Sequence, residues 1–197
     1  MSATETRIPL AHAEAIAADL VELISPGSEI TIVAGSVRRR RPLVKDIELL
    51  VIAKTVPLLD LFGDVIGEQD LLDKLMRAWL KTGHFQPRLD VTGRQAIGKR
   101  YKRMLFRDVP VDLFTATPDN WGLQLALRTG PAEFSKRLVT RTAAGGLLPF
   151  GYWVGKEGAD PERPSHLWLG QRIVPTPTEE SLFEAIGVDW IEPEDRG

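Results

Sequence analysis

The sequence predicts an α+β fold in two unequal parts, and three observations carry that prediction. Stretches with helical spacing of apolar residues are interleaved with short β-branched runs. Several of these segments end at Gly or Pro signals that fix their type. After Thr117-Pro118 the texture changes to short helices and then to a Gly- and Pro-rich stretch at 145–177, which places a boundary near residue 116.

In PLAHAEAIAADLVELIS (9–25), apolar residues at 13, 16, 17, 20 and 24 fall on one helical face, and Pro26-Gly27 stops the helix. EITIVAG (29–35) is β-branched and ends in Gly, a strand running into a turn. DIELLVIA (46–53) is a second strand. Leu71, Leu72, Leu75, Met76 and Trp79 mark a second helix closed by Gly83. Residues 95–106 and 109–115 read as two strands joined at Arg107-Asp108. Beyond the boundary, PDNWGLQLALRTG opens with helix-capping chemistry and ends at Thr129-Gly130. PAEFSKRLVTRTA is a helix with Pro in its first turn, residues 145–177 are short strands and loops, and TEESLFEAIG is a last helix capped by Thr178 or Ser181. The parts are therefore 1–116 and 117–197, with no internal repeat.

Composition narrows the chemistry. With no cysteine in 197 residues, disulfides, thiol catalysis and thiolate metal sites are excluded. No secretion signal and no membrane-length apolar run is visible, so a cytoplasmic or nucleoid-associated monomer away from membranes is expected. Net charge is only -2, yet residues 38–45 carry five basic groups and 94–107 carry six, while the stretch from Glu179 to Asp195 is acidic. Such asymmetry suits a basic face that steers a polyanion.

The chemistry concentrates in AGSVRRRRPLVKDIELLV (34–51). Strand side chains alternate, so Asp46 and Glu48 share one face while Ile47 and Leu49 point to the core. Two carboxylates about 7 Å apart suit hard cations, which prefer oxygen ligands. Asp112, set in the apolar run VPVDLF, would supply a third acid from a neighbouring strand. The bland alternative is an acid pair on the solvent face of an edge strand, with Asp112 at a strand end. Gly35-Ser36 adds backbone N–H groups and a hydroxyl fit for a phosphate, and the arginines after it add charge and bidentate donors. Alone, Gly-Ser is weak and four arginines are more often a solvated run. Together with the acids they suit a nucleoside triphosphate held with Mg²⁺ for in-line attack by a hydroxyl.

Gly-Ser, an arginine and Asp-x-Glu at this spacing resemble the family X (polymerase-beta-like) DNA polymerases of the nucleotidyltransferase superfamily. RIP (7–9), VPVDLF, RTGPAEFSK and the terminal TPTEESLFEAIGVDWIEPEDR resemble further family blocks, so the likeness covers nearly the whole chain. It implies a nucleotidyltransferase palm, a mixed sheet with helices on one face, followed by a small α+β C-terminal subdomain. It also implies a DNA polymerase that binds gapped or primer-template DNA for short-gap repair and takes a nucleoside triphosphate. Two Mg²⁺ ions, with Mn²⁺ as a substitute, would be held by Asp46, Glu48 and Asp112, with Asp112 as the base or proton relay. Gly35, Ser36, Arg39 and Lys45 would meet the phosphates, and Leu127, Arg128, Thr129, Gly130 and Ser135 the rest of the nucleotide. Lys99, Arg100, Lys102, Arg103, Lys136, Arg137 and Arg141 would meet nucleic acid, while Arg38, Arg40 and Arg41 are read as solvated or touching it. The likeness starts at the palm, so no lyase activity is expected, and the shape is that of the shortest viral members. Leu127-Arg128 stands where the family has an aromatic pair at the sugar. That departure keeps a second function open: template-independent nucleotidyl transfer to a nucleic-acid 3′ end or another hydroxyl.

Overall fold

Residues 7–89, 93–156 and 165–197 are described by a computed structural model. The chain opens with β1 (Ile8–Pro9) and α1 (Leu10–Ile24), which buries the face expected from the apolar spacing. A one-turn 3₁₀ segment at Ser25–Gly27 leads into β2 (Ser28–Val33), the single-turn α2 (Gly35–Arg38), β3 (Leu43–Val44) and β4 (Ile47–Ala53). β5 (Thr55–Leu59) and β6 (Val65–Asp70) pair only with each other. Next come α3 (Leu71–Thr82), β7 (Gln86–Pro87), β8 (Tyr101–Phe106) and β9 (Val109–Ala116). The Asp70 side chain caps α3 by accepting from the Asp73 N–H at 2.8 Å, and Gly83 closes it at φ 80°. The remainder is α4 (Trp121–Thr129), α5 (Ala132–Leu138), β10 (Tyr152–Gly155), β11 (His166–Leu169), β12 (Arg172–Val174) and α6 (Glu179–Ile186).

The central sheet runs β2-β4-β9-β8-β7, and its one parallel pair is β4 with β9, so the fold is α+β on a mixed sheet. Ile47, Leu49, Val51, Val111 and Leu113 form the face that receives Ile16, Leu20 and Ile24 of α1 and Leu72 and Met76 of α3. Each such side chain contributes roughly 1.5–3 kcal/mol by leaving water. The opposite face divides. Leu50, Ile52 and Phe114 are covered by Trp121 and Leu125 of α4, while Glu48 and Asp112 occupy the other half. Helices on one face are expected of the 1–116 part, and α4 belongs to the second part. α1 and α3 keep to that face, but α4 seals half of the other, because the apolar side chains following the acids need a partner there.

Three differences from the sequence reading are local. The strand expected over 95–106 is ordered as a ladder only from Tyr101, because Gly98 N–H closes a turn onto the Tyr101 carbonyl at 2.9 Å. The helix expected over 131–143 ends at Leu138, where the chain turns back. The β5–β6 hairpin falls in 54–70, a stretch to which the sequence reading assigned no element. A second core gathers Leu123, Ala126, Phe134, Leu138, Leu182 and Phe183 from α4, α5 and α6 with Leu167 of β11. Among the described residues no helix is long and apolar enough to cross a membrane.

Candidate nucleotidyl-transfer site

Register brings the acids together. Parallel pairing of β4 and β9 sets Glu48 opposite Asp112, and antiparallel pairing of β8 and β9 sets Arg103 opposite Asp112. Asp46 lies one residue before β4, two before Glu48, so alternation turns it to the same side. Burial and then this proximity raise the proton affinity of two of them. Burial first, then Asp46 and Asp112, push the Glu48 carboxyl up to about 7, against the pull of Arg128 and Arg39. Asp46 is raised too, by burial and then by Asp112, with Lys45, Arg88 and Arg103 opposing.

Gly35 explains how the Gly-Ser turn comes so close. Its φ is +61°, and a Cβ there would lie 2.0 Å from Glu48 Oε2, so any side chain would clash with the acid as well as strain the backbone. Gly35 is accordingly buried beneath the site rather than on its wall. Ser36, Arg39, Lys45, Asp46, Glu48, Leu127, Arg128, Gly130 and Ser135 all line one cavity of 870 Å³. Nine of the expected residues, from two separate stretches, thus surround one space.

A second cavity of 430 Å³ adjoins it, lined by Arg100, Tyr101, Arg103, Asp112 and Phe114. Glu48 and Arg128 line both, so they form the partition. Arg128 is held there by stacking, its guanidinium 3.8 Å from the Phe114 ring centroid. Burial lowers the Arg128 pKa, partly countered by Glu48. Within the described residues, the Nε atoms of Arg39 and Arg128 are buried with no hydrogen-bond partner.

Asp112 has a resident cation. Arg103 Nε stands 3.3 Å from Oδ1 and Nη2 3.4 Å from Oδ2, a loose two-point contact. The Tyr101 hydroxyl is pushed up to about 12 by burial and by Asp112. Among the described residues no three acidic or imidazole side chains converge on one point.

Several expected contacts are corrected by burial. Lys102 is 1% exposed on the core face of β8 beside Met104, where its Nζ donates to the Gly98 carbonyl at 2.8 Å and pairs with Asp73 at 3.2 Å, so it is not on a nucleic-acid surface. Thr129 is fully buried; its hydroxyl accepts from Arg38 at 2.7 Å and its carbonyl accepts from Arg39, which makes it a brace rather than a ligand contact. The Ser135 hydroxyl lines the cavity but donates to the Leu127 carbonyl at 2.7 Å. Arg38 is not a solvated arginine, since it pairs with buried Glu179 at 2.6 Å. Arg41 lines the larger cavity, as does Arg7. Lys99, Lys136, Arg137 and Arg141 are exposed. Arg88 and the cavity positions of Tyr101 and Arg7 escaped the sequence reading because only tertiary pairing brings them there.

Compared with known proteins, the chain matches no family model and no curated protein.

Proposed function

We propose that the chain is a nucleotidyltransferase of the family X DNA polymerase type, with a palm over 1–116 and a nucleotide-binding subdomain over 117–197. The single observation that carries this reading is the in-register pair Glu48–Asp112 at the partition of two cavities: Glu48 and Asp46 line the larger one with Ser36, Arg39 and Lys45, and Glu48 and Asp112 line the smaller. Asp46 and Glu48, both raised by burial and then by neighbouring carboxylates, are with Asp112 a donor set suited to hard divalent cations. Asp46, Glu48 and Asp112 would hold Mg²⁺ or Mn²⁺. Such ions, when bound, lower the pKa of an acceptor hydroxyl and offset charge on the triphosphate.

The chain's own residues supply the rest. Arg39, Ser36 and Lys45 hold the β- and γ-phosphates in the larger cavity. Arg128 and Leu127 wall the sugar side. The acceptor enters the smaller cavity, where Asp112 takes the proton from its hydroxyl as the oxygen bonds to the α-phosphorus and pyrophosphate leaves. Arg100 and Arg103 face the acceptor, and Lys99, Lys136, Arg137 and Arg141 offer phosphate contacts further out.

Primer extension by the purified protein with Mg²⁺ tests the reading. Extension that follows the templating base is expected, and transfer unaffected by Asp112→Ala would overturn it. The burial of Lys102 shrinks the nucleic-acid surface and favours one rival, template-independent transfer to a single-stranded 3′ end. Extension indifferent to the template, or equal with ribonucleotides and no template, would select that rival.

A further inference from the structure

Arginine–carboxylate contacts in this molecule come in two kinds. Arg38 and Arg196 meet Glu179 at 2.6 and 2.7 Å, within the range of strong charge-assisted bonds, and the Glu179 side chain is 2% exposed. Arg103 meets Asp112 at 3.3 and 3.4 Å, outside that range, and its own side chain is 32% exposed at the mouth of the smaller cavity. A loose, half-open contact to a carboxylate is one that an incoming cation or anion can displace at little cost.

We propose that Arg103 is an exchangeable counter-ion: it neutralises Asp112 while the site is empty, and on loading it yields the carboxylate to a divalent cation and turns to a phosphate of the acceptor. Two features of its placement support the exchange. Arg103 and Asp112 are cross-strand neighbours, so the guanidinium can leave the carboxylate by side-chain rotation alone, with the β8–β9 ladder intact. Its cavity is also edged by Arg100, Tyr101 and Arg128, polar and cationic groups suited to a phosphate-bearing acceptor and unsuited to a neutral one. Arg103 is then a positioning residue for Asp112 in the empty protein and an acceptor contact in the loaded one. The inference rests on the nucleotidyl-transfer reading above.

Its test measures metal binding apart from activity. Free Mn²⁺ is titrated by electron paramagnetic resonance against the full chain, Arg103→Gln, Arg103→Lys and Asp46→Asn, without nucleotide or DNA. Arg103→Gln is expected to tighten Mn²⁺ binding about five- to tenfold, since the cation no longer competes with an arginine. Arg103→Lys restores a charge and returns the affinity toward that of the parent. In turnover assays Arg103→Gln raises KM for the acceptor and leaves KM for the nucleotide unchanged. Mn²⁺ affinity that is unchanged or weaker in Arg103→Gln, while Asp46→Asn abolishes binding, overturns the exchange and spares the metal site. No Mn²⁺ binding by the parent protein overturns both.

Discussion

Two junctions of the molecule are built from the same residue types and behave differently. At the seam between α2 and α6, buried Glu179 is shared by Arg38 and Arg196, and Arg196 is further fixed by the Ile191 carbonyl and by the rings of Phe134, Phe183 and Trp190. At the site mouth, Asp112 keeps a loose arginine and lies beside two acids, Asp46 and Glu48, whose proton affinity is raised by burial and then by neighbouring carboxylates, Asp112 among them. The difference is one of completeness. Both side-chain oxygens of Glu179 have a donor at bonding distance, so that junction is finished by the chain itself; at the site Asp112 has a loose arginine contact and burial raises the proton affinity of Asp46 and Glu48, so that region leaves room for a ligand to complete it.

Breaking the two junctions should therefore give opposite phenotypes. The largest effect is expected for Asp46→Asn and Asp112→Asn, each lowering transfer at least about a thousandfold, roughly 4 kcal/mol of barrier, with the unfolding midpoint in metal-free buffer unchanged or raised. Steady-state rates and thermal melts of the same preparations check both halves. Glu179→Ala should do the reverse and destabilise by about 3–5 kcal/mol, since Arg196 is left buried and unpaired; urea unfolding reads that loss.

A third expectation concerns pH. The folded Glu48 carboxyl is raised from an ordinary carboxylate to about 7, so the folded state holds its proton more tightly than the unfolded chain. Its contribution is fully favourable below about pH 4.5 and is lost as pH rises through 7, by up to about 3 kcal/mol. Asp46, raised in the same direction, adds to the trend. Urea unfolding in chelator at pH 5 and pH 8 should show the decline. Glu48→Gln should flatten it, and saturating Mg²⁺ should recover stability at pH 8 if the acids hold the cation.

The smallest effect is expected at the β5–β6 tip. Leu61 and Phe62 are 99% and 91% exposed, and the turn is held by the Asp60 side chain accepting from Phe62 and Asp64 N–H groups. Leu61→Ser with Phe62→Ser should alter stability by no more than about 0.5 kcal/mol. Asp60→Ala should cost more than either, because it removes both turn bonds. Differential scanning calorimetry of the two single serine variants, their combination and Asp60→Ala orders them.

Much of this was legible in the chain. The buried face of α1, the Gly83 stop, the Arg107-Asp108 turn between β8 and β9, and the Thr178 cap follow from local periodicity and capping chemistry. Asp46, Glu48 and Asp112 stood out because acids interrupt apolar strands, which is costly without a partner. The β5–β6 hairpin, largely exposed and held by its own pairing and the Asp60 turn, was not assigned from the sequence. The α4 cover on the second sheet face was not legible, as it depends on what packs nearby rather than on its own spacing. Lys102 misled for the same reason, since a lysine amid basic residues gives no sign that Asp73 awaits it in the interior.

The sequence by itself determined which residue types face one way along each strand and where each helix stops, because alternation, helical spacing and capping act over a few neighbours. Only the tertiary structure decided which acids meet, that Glu48 lies opposite Asp112 and both near Arg103, and that Arg38 serves a buried junction while Arg39 serves the cavity. Strand register and long-range ion pairs are fixed by the sum of core contacts across distant segments, and no local stretch contains that sum.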